Sequence, residues 1–360
     1  VWIMAYTTID DPSAYFQTHL YAGSNSDITA TFNGNSDLQP DWIWFKSRSS
    51  DNDHLTYDSV RGVGKRLQPN ATDAEVDRSG NNDELKSFNT NGWTLGTFNS
   101  NITGAGKTCV SWNWKAGTSF TNDASSTGIG SIDSAGSVST DAGFSIIRWS
   151  GTGSNATIAH GLGSAPKMMI IKRISGGTES WIVYHQAISP AKHLFLNSTD
   201  AANADTNNFQ NTATTSSVFS VGTYNQMNAS GTNNMIAYCF AEKQGYSKFG
   251  SYIANSNSSN FIYTGMKPAF LMVKQTDSGG NQNWGMFDNK RPGYNSQNGF
   301  LYANSTAAED TSNATSIDLL SNGFQLRANT VGSNPGKSYI YMAFAENPFV
   351  TSTGVPATAR

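Results

Sequence analysis

One pattern occurs three times in this chain, and that repetition constrains its fold more than any other feature. Each copy opens with a proline and an apolar segment closed by lysine: Pro40-Asp-Trp-Ile-Trp-Phe-Lys46, Pro166-Lys-Met-Met-Ile-Ile-Lys172 and Pro268-Ala-Phe-Leu-Met-Val-Lys274. A second segment follows, Leu55–Asp58, Trp181–His185 and Trp284–Asp288. A Leu-x-x-Asn block is third, at Leu67–Asn70, Leu194–Asn197 and Leu301–Asn304, trailed by Thr72, Thr199 and Thr306. A Gly-aromatic segment is clear at Gly92-Trp93 and Gly323-Phe324 and reduced to Val218-Phe-Ser-Val221 in the middle copy. The last segment is Thr108–Trp114, Asn234–Phe240 and Ser338–Phe344. Pro40 to Trp114, Pro166 to Phe240 and Pro268 to Phe344 are separations of 74, 74 and 76 residues.

The period inside each copy predicts strands. Trp42, Trp44 and Lys46 alternate with Ile43 and Phe45, and Val110, Trp112 and Trp114 alternate with Cys109, Ser111 and Asn113. Alternation in aromatic and β-branched residues marks a pleated segment. The continuous run Met168–Ile171 predicts a strand covered on both faces. Asn33-Gly34 and Gly279-Gly280 read as turns between strands. Helical periodicity is nearly absent, and only Asp73–Val76 and Ala307–Asp310 read as short helical turns. The expected class is therefore all-β, with three tandem β-sandwich, jelly-roll-like modules of one repeat pattern. The expected division is residues 1–117 for an N-terminal segment and the first module, 144–250 for the second, and 251–360 for the third with a tail. Between the first two lies 118–143, rich in Gly, Ser and Thr, which reads as a linker or long loop.

Composition excludes several function classes. The 360 residues carry 23 Lys+Arg against 26 Asp+Glu, a net charge of −3, so no basic surface for nucleic acid is expected. No apolar stretch approaches the ~20 residues that span a bilayer as a helix. Val1–Tyr6 has no basic region and soon meets Asp10 and Asp11, so it does not read as a signal peptide, and Met4 could serve as an initiator. Cys109 and Cys239 sit in apolar segments and read as buried thiols, not as a disulfide framework.

Candidate chemistry is sparse. Gly104-Ala-Gly106-Lys107-Thr108 resembles the end of a phosphate-binding loop, but it lacks the leading glycine and runs into a strand, so a hairpin turn is expected. His160 precedes a Gly-x-Gly turn and reads as part of it. The histidines at 19, 54, 160, 185 and 193 lack zinc-site spacing. Asp58 and Asp288 occupy matching positions, with His185 between them in the order of copies, which suggests a structural hydrogen bond at a strand end. Asp51-Asn52-Asp53 lacks the glycine and distal glutamate of a calcium loop. No Gly-x-Ser-x-Gly elbow occurs. Sequons at Asn70, Asn197 and Asn304 arise readily in a chain this rich in Asn, Ser and Thr. Tryptophans flanked by polar residues could stack on sugars, yet Trp42, Trp44, Trp112 and Trp114 read first as core. No catalytic, cofactor-binding or metal-ligating residue is therefore assigned, and no cofactor is expected.

Three stretches carry a resemblance: Tyr6–Thr18, Trp112–Gly117 and Ala159–Arg173. They are similar to a tail-associated structural protein family of marine and cyanobacterial bacteriophages, and the likeness runs to Phe344–Phe349. The resemblance implies a non-enzymatic virion component, tail- or fibre-associated and contacting the host surface. A capsid decoration protein and a carbohydrate-binding or glycan-depolymerising module are the alternatives. The implied partners are other virion proteins, further copies of the chain in a homo-oligomer, and a host-surface glycan or protein, with neither nucleic acid nor membrane insertion. The implied location is the virion, after synthesis in a host cytoplasm and release by lysis.

Overall fold

The computed structural model describes residues 5–358 apart from 99, 232, 256–259, 280–281, 293, 297, 313–316 and 328–330. Met4 and Gly280 lie outside the described residues. The chain is all-β, and its strands fall into three consecutive two-layer units. The first holds β1 (Phe16–Ala22), β2 (Ile28–Thr31), β3 (Trp42–Ser47), β4 (Leu55–Asp58), β5 (Lys65–Arg66), β6 (Val76–Asp77), β7 (Leu85–Asn89), β8 (Gly92–Leu95) and β9 (Thr108–Trp114). The second holds β10 (Thr118–Asn122), β11 (Ser134–Ser139), β12 (Phe144–Ser150), β13 (Ala156–Ala159), β14 (Met168–Arg173), β15 (Ile182–His185), β16 (Lys192–Phe195), β17 (Asn203–Ala204), β18 (Val218–Val221) and β19 (Asn234–Phe240). The third holds β20 (Ser247–Ile253), β21 (Asn260–Tyr263), β22 (Met266–Gln275), β23 (Gly285–Asp288), β24 (Leu301–Tyr302), β25 (Ile317–Leu320), β26 (Gly323–Leu326) and β27 (Ser338–Pro348).

The inner sheets share one order. They run β1-β9-β3-β4, then β12-β19-β14-β15 within an eight-stranded sheet, then β20-β27-β22-β23. Registers match as well. Phe16, Trp114, Trp42 and Asp58 form one cross-strand row; Phe144, Phe240, Met168 and His185 form the next unit's; Ser247, Phe344, Phe270 and Asp288 form the third's. Directly paired residues share a face. These rows therefore point one face of every inner sheet the same way, and all three faces meet in a single core. That core contains Trp42, Trp44, Trp112 and Trp114 from the first unit, Phe144, Ile170, Tyr238 and Phe240 from the second, and Phe270, Met272, Met342 and Phe344 from the third. Trp42 stacks on Tyr238 at 4.4 Å between ring centroids, and Phe16 stacks on Phe344 at 5.4 Å. Such pairs add about 0.5–1.5 kcal/mol beyond the area they bury.

The opposite face of each inner sheet packs on its own outer layer. Ile43, Phe45 and Tyr57 meet Trp93 and Leu95; Ile147 and Met169 meet Phe219 and Val221; Leu271 and Val273 meet Leu319 and Phe324. The alternation in β3 thus separates two buried faces, not a buried face from a wet one.

Several expectations need correction. Residues 118–143 are not a linker: β10 and β11 form an antiparallel hairpin that extends the second sheet through β12. Its residues are small and polar because one face stays open to solvent, while Phe120 and Val138 on the other reach the second unit's own core. The boundary at 250/251 falls inside β20, whose Ser247 already pairs with Phe344. Asp73–Val76 and Ala307–Asp310 are not helical. Each lies along the neighbouring unit's strand end, where Glu75 N donates to Ile174 O at 3.1 Å and Glu309 N to Arg48 O at 2.8 Å. Gly104–Thr108 is a turn but not a hairpin, since β8 and β9 belong to different sheets.

Candidate functional site

Polar side chains gather at the joints between units and in a surface groove. The joints use the residues that end each repeated segment. Lys46, Lys172 and Lys274 are buried, and each ammonium donates across a joint to the threonine carbonyl noted above. Lys46 Nζ reaches Thr306 O at 2.9 Å, Lys172 Nζ reaches Thr72 O at 2.9 Å, and Lys274 Nζ reaches Thr199 O at 3.1 Å. Their second acceptors are local, among them Ser47, Glu179 and Gln282 carbonyls. Burial lowers Lys46 and Lys172 to about 8 and Lys274 to about 7, against the nearby carboxylates that favour charge.

The same direction is taken by the rings that precede β4, β15 and β23. His54 Nε2 lies 3.0 Å from Tyr302 O, Trp181 Nε1 donates to Gln68 O at 3.0 Å, and Trp284 Nε1 donates to Phe195 O at 2.9 Å. Each of these rings is held by the asparagine of its own Leu-x-x-Asn block. Asn70, Asn197 and Asn304 accept from the backbone N–H of His54, Trp181 and Trp284 at 2.8, 2.9 and 2.9 Å. Those amides are thereby committed inside the fold, so the sequon reading has no free side chain at these three positions.

The strand-end position joins the units in the opposite sense. Tyr238 Oη donates to Asp58 Oδ2 at 2.7 Å, and Trp112 Nε1 donates to Asp288 Oδ2 at 3.0 Å. Asp58 and Asp288 are each also bonded to an arginine three residues on, Arg61 and Arg291, at 2.5 and 2.6 Å. These arginines continue to Glu75 and Glu309 at 3.2 and 3.1 Å. In the second unit the corresponding positions are His185, Ile188 and Ala202, and the residue facing the joint is Met342, which cannot donate. His185 Nδ1 accepts from Ala187 N at 3.1 Å, so its Nε2 is the donor to Tyr341 O at 3.3 Å. Burial lowers His185 to about 4 and keeps it neutral. The acid–base triplet is thus replaced as a set where the incoming donor is absent.

The remaining sequence candidates are placed as follows. His160 is buried; its Nδ1 accepts from Leu162 N at 3.2 Å and its Nε2 lies 3.1 Å from Thr215 O, which makes it a turn brace. Asp51 accepts from Ala308 N at 2.8 Å and Asp53 accepts from Asn70 Nδ2 at 2.8 Å, so that cluster braces a joint. Lys107 is held by Asn52 Oδ1 at 2.5 Å. Cys109 and Cys239 are buried free thiols pushed up to about 11 and about 12 by burial. The eight described tryptophans are at most 3% exposed, which removes them as sugar-stacking platforms. Among the described residues no group of three or more His, Cys, Asp or Glu side chains is arranged to hold a metal, and no helix is long and apolar enough to cross a membrane.

The groove was not anticipated. It has a volume of about 630 Å³ and lies where the β10–β11 hairpin flanks the first unit. Its floor is one face of β10, β11, β12 and β19. Thr121, Ala135 and Arg148 are neighbours in one row, and Ser119 and Ser137 in the next. Its wall includes Asp41, Ser59, Val60 and Gly117. Asp41 is spent on structure: it accepts from Ser59 Oγ at 2.7 Å, Ala116 N at 2.8 Å and Gly117 N at 2.7 Å. The sequence hint of it is spacing: Pro40 and Pro166 lie 126 residues apart, Pro166 and Pro268 only 102, and the extra length falls at 118–143.

Fold and joints together define an all-β protein in which a recurring set of buried polar groups bonds across the joints between its inner sheets. Residues 11–348 match a family described as a domain of unknown function (DUF7483), and the chain belongs to that family. No curated protein matches it.

Proposed function

We propose that this chain is a non-catalytic structural block of a bacteriophage virion, built from three copies of one β module closed into a ring. The observation that carries the block is the cyclic set of joints. The lysine of the first unit reaches the third, that of the third reaches the second, and that of the second reaches the first. Closed cyclic joining leaves no end of the series unpaired. It suits a part that must hold its shape outside a cell. The placement in a virion, at a tail or fibre, rests on the sequence resemblance at Tyr6–Thr18, Trp112–Gly117 and Ala159–Arg173. Any homo-oligomer would be built through the outer faces, since the joint faces are used within the chain.

The test is electron cryo-microscopy of assembled particles with labelled antibody to this chain. Density for the three-unit block at the tail supports the reading. Density on the capsid favours the decoration alternative, and absence from particles overturns a virion role. A depolymerising module is the weaker reading. Glycoside hydrolysis generally uses two carboxyl groups, whereas in the groove Asp41 has both oxygens engaged and only Asp133 keeps one open.

A further inference from the structure

We infer that the groove between the β10–β11 hairpin and the first unit is a binding site for an acidic saccharide, a hydroxyl-rich ligand bearing a carboxylate or sulfate. This deepens the host-surface contact that the sequence resemblance implies and rests on the virion reading only for biological setting. The argument begins with Arg148. Among the described residues the other arginines, 48, 61, 66, 78, 173, 291 and 327, each pair with a carboxylate. Arg148 has no such partner and is half-buried in the groove. A guanidinium held in a concave site without a counter-ion favours an incoming anion, which it binds in a two-pronged geometry.

The floor around it supplies hydroxyls. Ser137 is 7% exposed and lines the groove, and its hydroxyl makes no hydrogen bond among the described residues. Ser119 and Thr121 lie beside it on β10, with exposed side chains equally uncommitted. Thr121 stands two strand spacings from Arg148, roughly 10 Å, about the reach of neighbouring sugar rings. Asp133 Oδ1 accepts from Ala124 N at 2.8 Å, and Oδ2 is left as an acceptor for a ligand hydroxyl. One cation, several hydroxyls and one open carboxylate suit a polyol with a single negative group per residue. A polyanion such as nucleic acid would meet Asp133 and find only one arginine.

The groove is also purpose-built in topology. Among the described residues, the hairpin that forms its floor has no counterpart in the first or third inner sheet. Gly136 permits it: a Cβ there would come within 1.8 Å of Ile146 O. The volume of about 630 Å³ falls in the range of about 300–1,000 Å³ usual for ligand sites, while its polar floor is unlike the apolar lining of most of them.

The test is titration calorimetry on the full chain with three tetrasaccharides: hyaluronan (carboxylate), neocarratetraose sulfate (sulfate) and maltotetraose (neutral). At least one anionic probe is expected to bind, and maltotetraose at least about tenfold more weakly. Arg148→Ala should weaken the anionic probe about tenfold or more, as loss of a charged hydrogen bond implies. Arg148→Lys should retain part of the affinity, and Ser137→Ala should weaken it less. An unchanged thermal midpoint shows that each variant is folded. Failure of both anionic probes to bind, equal binding of maltotetraose, or binding indifferent to Arg148→Ala would overturn the inference. None of these outcomes bears on where the chain sits in a particle, so the virion reading stands or falls separately.

Discussion

Trp112 donates its indole N–H to Asp288, 176 residues away, at 3.0 Å, and so ties the first unit to the third through a carboxylate already bonded to Arg291. Both partners are fully buried. A hydrogen bond to a charged acceptor contributes about 1.5–3 kcal/mol. Trp112→Phe is therefore expected to destabilise by at least that amount. A double-mutant cycle with Asp288→Asn should give a coupling of about 0.5–3 kcal/mol by denaturant unfolding. Additive effects would mean that the contact carries no joint energy.

Removing Asp288 outright should be worse than removing its donor. Asp288→Ala leaves Arg291 buried with Glu309 alone, and breaking one partner of a buried pair costs about 3–5 kcal/mol. The second unit indicates a milder route, since His185, Ile188 and Ala202 stand where the acid–base triplet would be. Asp288→Ala with Arg291→Ile is expected to recover part of the loss, read as a rise in unfolding midpoint over Asp288→Ala.

The buried bases set a pH profile. His160 and His185 titrate near 4 when folded and near 6.5 when free, so the unfolded chain binds more protons in that window and stability falls as pH drops through it. Protonation would also cost Nδ1 its accepted N–H in both rings. Lys46, Lys172 and Lys274 release protons near 7–8 when folded but near 10.5 when free. The unfolded chain again binds more, and stability rises with pH between those values, by up to about 1.4 kcal/mol per pH unit for each lysine. Above about 10 the sign reverses. Cys109, Cys239, Tyr57 and Tyr238 ionise first in the unfolded chain, because burial raises them in the fold. Thermal midpoints from pH 4 to 11 should therefore peak between about 9 and 10. A flat profile across pH 6–9 would contradict the burial of the lysines.

Lys274→Met removes an ammonium from between the Thr199 and Gln282 carbonyls. Leaving buried acceptors unpaired costs about 1–3 kcal/mol each, and this loss is expected at pH 7 in urea unfolding. The same variant should show a shallower rise of stability from pH 7 to 9 than the parent, since one titrating base is gone.

Gly136→Val would drive a side chain into the Ile146 carbonyl at 1.8 Å. The β10–β11 hairpin is expected to detach from β12, seen as faster amide exchange over Thr118–Ser139 with the central core still protected.

Much of the strand pattern was legible in the sequence. Trp42, Trp44, Trp112 and Trp114 fall on one face by simple alternation, and the lysine and Leu-x-x-Asn positions stand out by recurrence. Their purpose was not legible. Lys46 and Thr306 are 260 residues apart, and spacing cannot say that one unit's lysine meets another unit's loop. The hairpin at 118–143 was misread for a physical reason. Burial gives strands their apolar signature, and Ser119, Thr121 and Ser137 line an open groove instead. Asp73–Val76 misled similarly: a short acidic segment looks like a helix start, yet its backbone is claimed by Ile174 across the joint.

Differential scanning calorimetry of the intact chain tests the central claim most directly. If three units share one core and one cycle of joints, they melt together. A single transition is then expected, with calorimetric and van't Hoff enthalpies in a ratio near one. Two or three resolved transitions, each with the enthalpy of a domain of roughly 100 residues, would show that the units are stable apart and contradict the account.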